Sequence, residues 1–168
     1  MLRCVYADLD RTLLGADGTL LRDPAGAFTL LGVRALEACD RAGAELVVHS
    51  ERGRDEVDPV AALLGLDAWI AGAALVLDGE EEAAAGLADA VARHLAARAC
   101  APEDAIAVGP ELGLEAVVGT LWLSGDALDD PLLRLELEQR ARVRMAEEQG
   151  PAAVYEAVIT TLAEQRGG

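Results

Sequence analysis

The chain has 168 residues, 52% of them hydrophobic, with 30 acidic against 14 basic side chains and a formal charge of −16 at pH 7. That length and apolar content predict one folded domain with a real core and exclude intrinsic disorder. The sequence holds no lysine, so every strong cation is an arginine, and the acidic balance excludes nucleic acid and anionic membranes as partners, because phosphate binding needs clustered Lys and Arg.

Aromatic residues make up only 3% of the chain, so the core is expected to be built from Ala, Leu and Val. The first strand is predicted over Leu2 to Ala7, ending at Asp8. Apolar residues then recur at helical spacing over Thr29 to Ala42 (Leu30, Leu31, Val33, Leu36, Ala38), with Gly43 as the C-terminal cap. A second strand runs from Ala44 to His49 and stops at Ser50, and Arg54 to Leu64 reads as a short helix carrying Pro59 near its middle.

Ala68 to Leu77 reads as a strand or hairpin, interrupted by Gly72 and ended by Asp78-Gly79. An acidic linker to Glu82 leads into an Ala-rich helix reaching about Ala99. A turn at Ala101 to Asp104 precedes a strand over Ala105 to Val108, a short helix over Leu112 to Val117 and a strand over Thr120 to Leu123. A helix at Pro131 to Arg140, a strand at Val143 to Ala146 and a helix at Pro151 to Gln165 complete the chain. Short apolar runs alternating with helices predict βα units around a largely parallel sheet, an α/β fold.

Cys4, Cys39 and Cys100 are odd in number and widely spaced, which predicts reduced, buried thiols rather than a disulfide frame or a zinc site. No leader-like segment and no apolar run of membrane-spanning length is found, so the expected location is the cytoplasm. His49 is expected to pack or bond within its loop, and His94 has no partner at metal-ligand spacing. Trp69 and Trp122 are expected to pack, and Gly15, Gly18 and Gly26 to turn the chain.

The most informative stretch is Val5-Tyr6-Ala7-Asp8-Leu9-Asp10-Arg11-Thr12-Leu13-Leu14. An apolar strand delivers two carboxylates, spaced by two, to its C-terminal end, where open α/β sheets bind ligands. That spacing lets one carboxylate attack while the other serves as acid and base. Thr12 and the loop amides are placed to hold phosphate oxygens.

This segment resembles motif I of the haloacid dehalogenase superfamily, Asp-x-Asp-x-Thr-Leu-Leu after a hydrophobic strand. The resemblance implies a Rossmannoid three-layer sandwich and a phosphatase working through an aspartyl-phosphate on Asp8. Asp10 would protonate the leaving group and activate water, and its backbone carbonyl would join Asp8 in binding Mg²⁺. Arg11 stands where the family has Gly. Leu46 to Arg54 resembles motif II, a second strand ending in Ser or Thr, which gives Ser50 a phosphoryl hydrogen bond, and Arg52 and Arg54 stand where sugar-phosphatase relatives carry a Gly-Arg pair. Ala71 to Val76 is similar to the strand before the large cap of Cof-type and mannosyl-3-phosphoglycerate phosphatases. That cap, inserted near 78–83 in those relatives, is absent here, leaving 1–168 as a single core domain.

Two further motifs depart from the family. Its lysine belongs near Leu87, and its Gly-Asp-x-x-x-Asp reads Gly109-Pro110-Glu111-Leu112-Gly113-Leu114 here. Glu111 or Glu115 would then have to reach the metal, and Arg11, Arg52 or Arg54 would have to replace the lysine. The expected function is hydrolysis of a small phosphorylated metabolite, weak in rate, in a protein that forms homo-oligomers. The alternative is a catalytically inactive descendant serving as a binding or assembly partner.

Overall fold

A computed structural model describes the backbone of residues 1–168 and every side chain except those of Asp126 and Ala127. Eight strands form one sheet: β1 (Cys4–Asp8), β2 (Glu45–Ser50), β3 (Ala68–Ala71), β4 (Ala74–Leu77), β5 (Glu80–Ala83), β6 (Ala105–Gly109), β7 (Thr120–Leu123) and β8 (Val143–Met145). The order across the sheet is β5-β4-β3-β2-β1-β6-β7-β8, antiparallel at β3/β4 and β4/β5 and parallel elsewhere. The helices are α1 (Leu31–Ala42), α2 (Arg54–Leu63), α3 (Leu87–Ala97), α4 (Pro131–Glu138) and α5 (Pro151–Gly167).

Period-two alternation along the strands divides the core between the two faces of the sheet. Val5 and Ala7 of β1 join Leu46 and Val48 of β2 in one cluster, covered by α1, α2 and α5 through Ala35, Val57 and Val154. Cys4 and Tyr6 join Val47 and Ile70 in the other, covered by α3 and α4 through Val91, Leu95 and Leu137. Both faces are therefore buried, as parallel sheets require, and each fully enclosed Leu, Ile or Val contributes roughly 1.5–3 kcal/mol. The expected three-layer α/β sandwich is what the chain forms.

Most predicted elements lie within two residues of their observed bounds, and Gly43 caps α1 in the left-handed conformation at φ 68°. Pro59 sits inside α2 without ending it. Two expectations are corrected. The segment 112–117 is not a helix but a loop with one 3-10 turn at Leu114–Ala116, because Gly113 takes φ 117° and interrupts any helical run. The acidic linker is a strand: Asp78 and Gly79 both take positive φ (51° and 86°), a type I′ geometry that folds Glu80–Ala83 back onto β4. All four residues of β5 are exposed, so backbone pairing rather than side-chain burial holds it.

The sheet places the candidate site. β1 is flanked by β2 on one side and β6 on the other, so the chain reverses its direction of travel across the sheet at β1. In open α/β sheets such a switch point leaves a crevice outside the carboxyl ends of the strands. Beyond β1, Gly15 and Ala16 hydrogen-bond the Thr19 and Asp23 carbonyls at 2.9 and 3.0 Å, forming a tight loop over that crevice. A Cβ on Gly15 would lie 1.6 Å from the Arg22 carbonyl oxygen. Gly15→Ala is expected to lower stability by about 2 kcal/mol, read as a fall in the denaturant midpoint at unchanged slope.

Candidate active site

The chain leaves β1 at Asp8 and enters a single wide turn, Leu9–Leu13, closed by the Leu14 amide on the Leu9 carbonyl at 3.0 Å. Within it Asp10 is extended and Arg11 is left-handed (φ 59°, ψ 9°). A left-handed residue with a Cβ costs roughly 1–2 kcal/mol, which is the physical reason Gly is favoured where Arg11 stands. The turn returns Asp8, Asp10 and Thr12 to one cleft of about 810 Å³, together with Arg11, Arg52, Pro110 and Ser124. On the other side of Asp8 lies a smaller recess of about 310 Å³, lined by His49, Ser50, Glu51, Gly72, Leu87 and Glu111.

Both oxygens of the Asp10 carboxylate are engaged by residues at the end of β2 and just beyond it. Ser50 Oγ donates to Oδ2 at 2.8 Å, and the Arg52 guanidinium forms an ion pair with Oδ1. The Arg52 amide donates to Ser50 Oγ at 3.1 Å, which fixes the hydroxyl between the two. Among the described residues no arginine pairs with Asp8. Burial raises its pKa first, the charges of Glu111 and Asp10 raise it further, a hydrogen bond with Thr12 opposes this, and Glu51 adds to the rise; the result is about 7. A carboxyl poised near neutrality in a crevice marks a functional-site candidate.

The sequence-derived candidates sort by geometry. Asp8, Asp10, Thr12, Arg11 and Arg52 share the larger cleft, and Ser50 reaches it through Asp10. Glu111 approaches Asp8 closely enough to repel it, whereas Glu115 turns away to accept from the Gly113 amide and to pair with Arg140 at 3.4 Å. Arg54 also faces elsewhere, pairing with Asp58 at 2.8 Å and Glu81 at 3.4 Å. It is therefore not a replacement for the missing lysine. Leu87 lines the recess beside Asp8 and Glu111, the place where the family resemblance put that lysine.

His49 is buried and packs beside Asp8. Its Nδ1 lies 3.7 Å from Asp8 Oδ1, its Nε2 has no hydrogen-bond partner, and burial pushes its pKa down to about 4. It is a neutral ring beside the Asp8 carboxyl at neutral pH. Sequence reasoning missed Ser124, Gly125, Gln149 and Gly150, which close the far wall of the cleft. Only their position after β7 and before α5 could have pointed to them. Gly109, at the end of β6, lies so close that a Cβ there would sit 3.0 Å from Asp8 Cβ.

Neither a family model nor a curated protein matches this chain. Solved structures do. A 3-deoxy-D-manno-octulosonate 8-phosphate phosphatase from Yersinia pestis is 20% identical with a TM-score of 0.66, over 98% of this chain and 83% of that one. The cobalt-bound deoxy-D-mannose-octulosonate 8-phosphate phosphatase from Haemophilus influenzae is 15% identical with a TM-score of 0.63, over 99% and 90%. The sucrose-phosphatase from Synechocystis sp. PCC6803, in complex with sucrose and phosphate, is 13% identical with a TM-score of 0.68, over 95% and 98%. Identities this low establish a shared fold.

Proposed function

From the haloacid dehalogenase fold that this chain shares with those phosphatases, we propose that it is a metal-assisted phosphoric monoester hydrolase acting on a small phosphorylated metabolite. One observation carries the reading: Asp8, perturbed to near neutrality, stands beside Asp10 and Thr12 in a cleft at the switch point of the sheet. Among the described residues, the cations lining that cleft are Arg11 and Arg52, suited to holding a phosphate rather than a long anionic polymer.

Asp8 Oδ attacks phosphorus, the bond from phosphorus to the leaving oxygen breaks, and Asp10 supplies the proton that oxygen needs. Asp10 then takes a proton from water, whose oxygen attacks the aspartyl-phosphate and releases inorganic phosphate with Asp8 restored. Both oxygens of Asp10 are held by Ser50 and Arg52, so one of those contacts opens for each proton transfer. Thr12 and Arg11 meet the phosphoryl oxygens at the cleft.

The site's donor set suits Mg²⁺. The Asp8 and Glu111 carboxylates and the Asp10 carbonyl are hard oxygen ligands, and the repulsion of Asp8 by Glu111 is what a bound cation would relieve. Such an ion supplies charge neutralisation at the phosphoryl group. Only Asp78-Gly79 joins β4 to β5, so no lid is inserted over 78–83 and a second copy is the cover we infer for the open cleft.

The test is turnover of an aryl phosphate with and without Mg²⁺, followed by borohydride reduction and peptide mapping. The expected result is Mg²⁺-dependent release of phosphate with Asp8 recovered as homoserine, the product of a reduced acyl phosphate. Mg²⁺-independent turnover, or turnover with no modified Asp8, would overturn the mechanism. No turnover on any phosphomonoester tried would leave a phosphate-binding protein in its place.

A further inference from the structure

At the end of the sheet opposite Asp8, three potential metal ligands converge in the core. Cys4 opens β1 and Glu45 opens β2, and the parallel register makes them direct neighbours. His94 reaches them from α3, so that one ligand atom from each of Cys4, Glu45 and His94 lies within 4.8 Å of the others. These residues are far apart in sequence, which is why spacing alone gave His94 no partner.

The histidine is the unusual member. It is fully buried at 0% exposure, and its Nδ1 is 2.6 Å from the Tyr6 hydroxyl. Its Nε2 lies 3.1 Å from Glu45 Oε2, yet off the hydrogen-bonding direction and without a hydrogen-bond partner. A buried ring nitrogen left unsatisfied costs about 1–3 kcal/mol, and such groups in native structures call for an explanation.

We propose that Cys4 Sγ, His94 Nε2 and a Glu45 carboxylate oxygen form a structural Zn²⁺ site. Thiolate and imidazole together select Zn²⁺ over Mg²⁺, which takes oxygen ligands only. The surroundings are those of a built site. With Nε2 on the metal, Nδ1 carries the proton and donates to the Tyr6 hydroxyl oxygen 2.6 Å away. Arg98 holds the Glu45 carboxylate from outside, with Nε and Nη2 donating at 2.8 and 2.9 Å, and is itself paired with Asp78 at 2.9 Å. Each carboxylate oxygen still has a lone pair for the ion.

Charge balances as well. A Zn²⁺ ion against one thiolate and one carboxylate is neutral, and the Arg98–Asp78 pair is neutral. Binding breaks the Cys4 S–H bond, forms a sulfur–zinc bond and sends the proton to solvent. Water would complete the tetrahedral set and leave that balance unchanged. The ion would tie β1, β2 and α3 together behind the catalytic end of the sheet.

The experiment is a Co²⁺ titration of the full chain after chelator treatment, read by absorption, with Zn²⁺ added afterwards. One equivalent of Co²⁺ is expected to raise a thiolate charge-transfer band in the near ultraviolet, and Zn²⁺ to remove it. Co²⁺ bound at the oxygen ligands near Asp8 gives no such band, so the two sites are distinguished. Cys4→Ser should lose the band, whereas Cys39→Ser, in the opposite core layer, should keep it. Glu45→Gln, at the sheet margin, should weaken Zn²⁺ binding at least about tenfold and serves if Cys4→Ser does not fold. No charge-transfer band in the wild-type chain, or a band that survives Cys4→Ser, overturns the proposal.

Discussion

Asp8→Asn is expected to hydrolyse an aryl phosphate at least about 10³-fold more slowly than the wild-type chain while melting several degrees higher at pH 8. On the proposed mechanism the loss follows from removing the attacking oxygen, since a carboxamide cannot form the covalent intermediate at a useful rate. The gain follows from burial: Asp8 is driven up to about 7 by desolvation and by the charges of Glu111 and Asp10. A carboxyl raised in the folded state adds stability that is fully present below its ordinary pKa of 3.8 and is lost as pH rises through 7. At pH 8 the wild-type chain therefore holds an ionised Asp8 at a cost of about 2 kcal/mol once solvent screening of this partly exposed carboxylate halves the full linkage value, and Asn does not incur it. For a chain of this size that corresponds to roughly 4–8 °C in Tm. Melts at pH 4 should bring the two proteins together, and saturating Mg²⁺ at pH 8 should narrow their gap by stabilising only the wild type. Equal melting temperatures at pH 8 without metal would show that Asp8 is not held against its ionisation.

The second large effect is a gain. Leu87→Lys is expected to raise kcat/KM for an aryl phosphate about 10–100-fold, with the acid limb of the pH profile moved down by about one unit or more. Leu87 is half-buried in the recess shared by Asp8 and Glu111. A lysine stem can follow the apolar wall while its ammonium faces the two carboxylates. An opposite charge within a few ångströms favours the ionised nucleophile and offsets repulsion of the incoming phosphate. Leu87→Met is the control for volume. The prediction fails if the lysine variant matches the methionine variant in both rate and pH profile, for then the charge near Asp8 does not limit turnover.

Much of the fold was legible because it rests on local signals. Val5-Tyr6-Ala7 and Leu46-Val47-Val48 are apolar runs long enough for a strand and too short for a helix, and Gly43 sits where a helix must end. β5 was not legible, since Glu80-Glu81-Glu82 carries no strand propensity. The signal was the Asp78-Gly79 pair, a hairpin turn whose strength exceeds the preference of the residues after it. In the site, Asp8 and Asp10 followed from their place after the first strand. The split between Glu111 and Glu115 did not, because a loop decides which of two nearby carboxylates faces inward. Arg52 shares a cleft with Asp8 and Asp10, and its ion pair with Asp10 depends on how β1 and β2 end side by side. The cluster around His94 was invisible for the same reason: Cys4 and Glu45 meet only through the register of a parallel pair.

The outermost strand, β5, has a consequence for how copies of the chain meet. An open sheet presents unpaired backbone amides and carbonyls along its last strand, a template on which a second molecule can add strand to strand. Here that rim carries three consecutive glutamates, all exposed, with Glu81 and Glu82 answered by Arg54 and Arg93 and Glu80 facing outward beside them. Two such rims brought together would align like charges at strand spacing, so the sheet is guarded against self-templating by repulsion rather than by a covering helix. Salt screens that guard, which makes concentrated salt solution the condition under which this fold is most exposed to fibrous association.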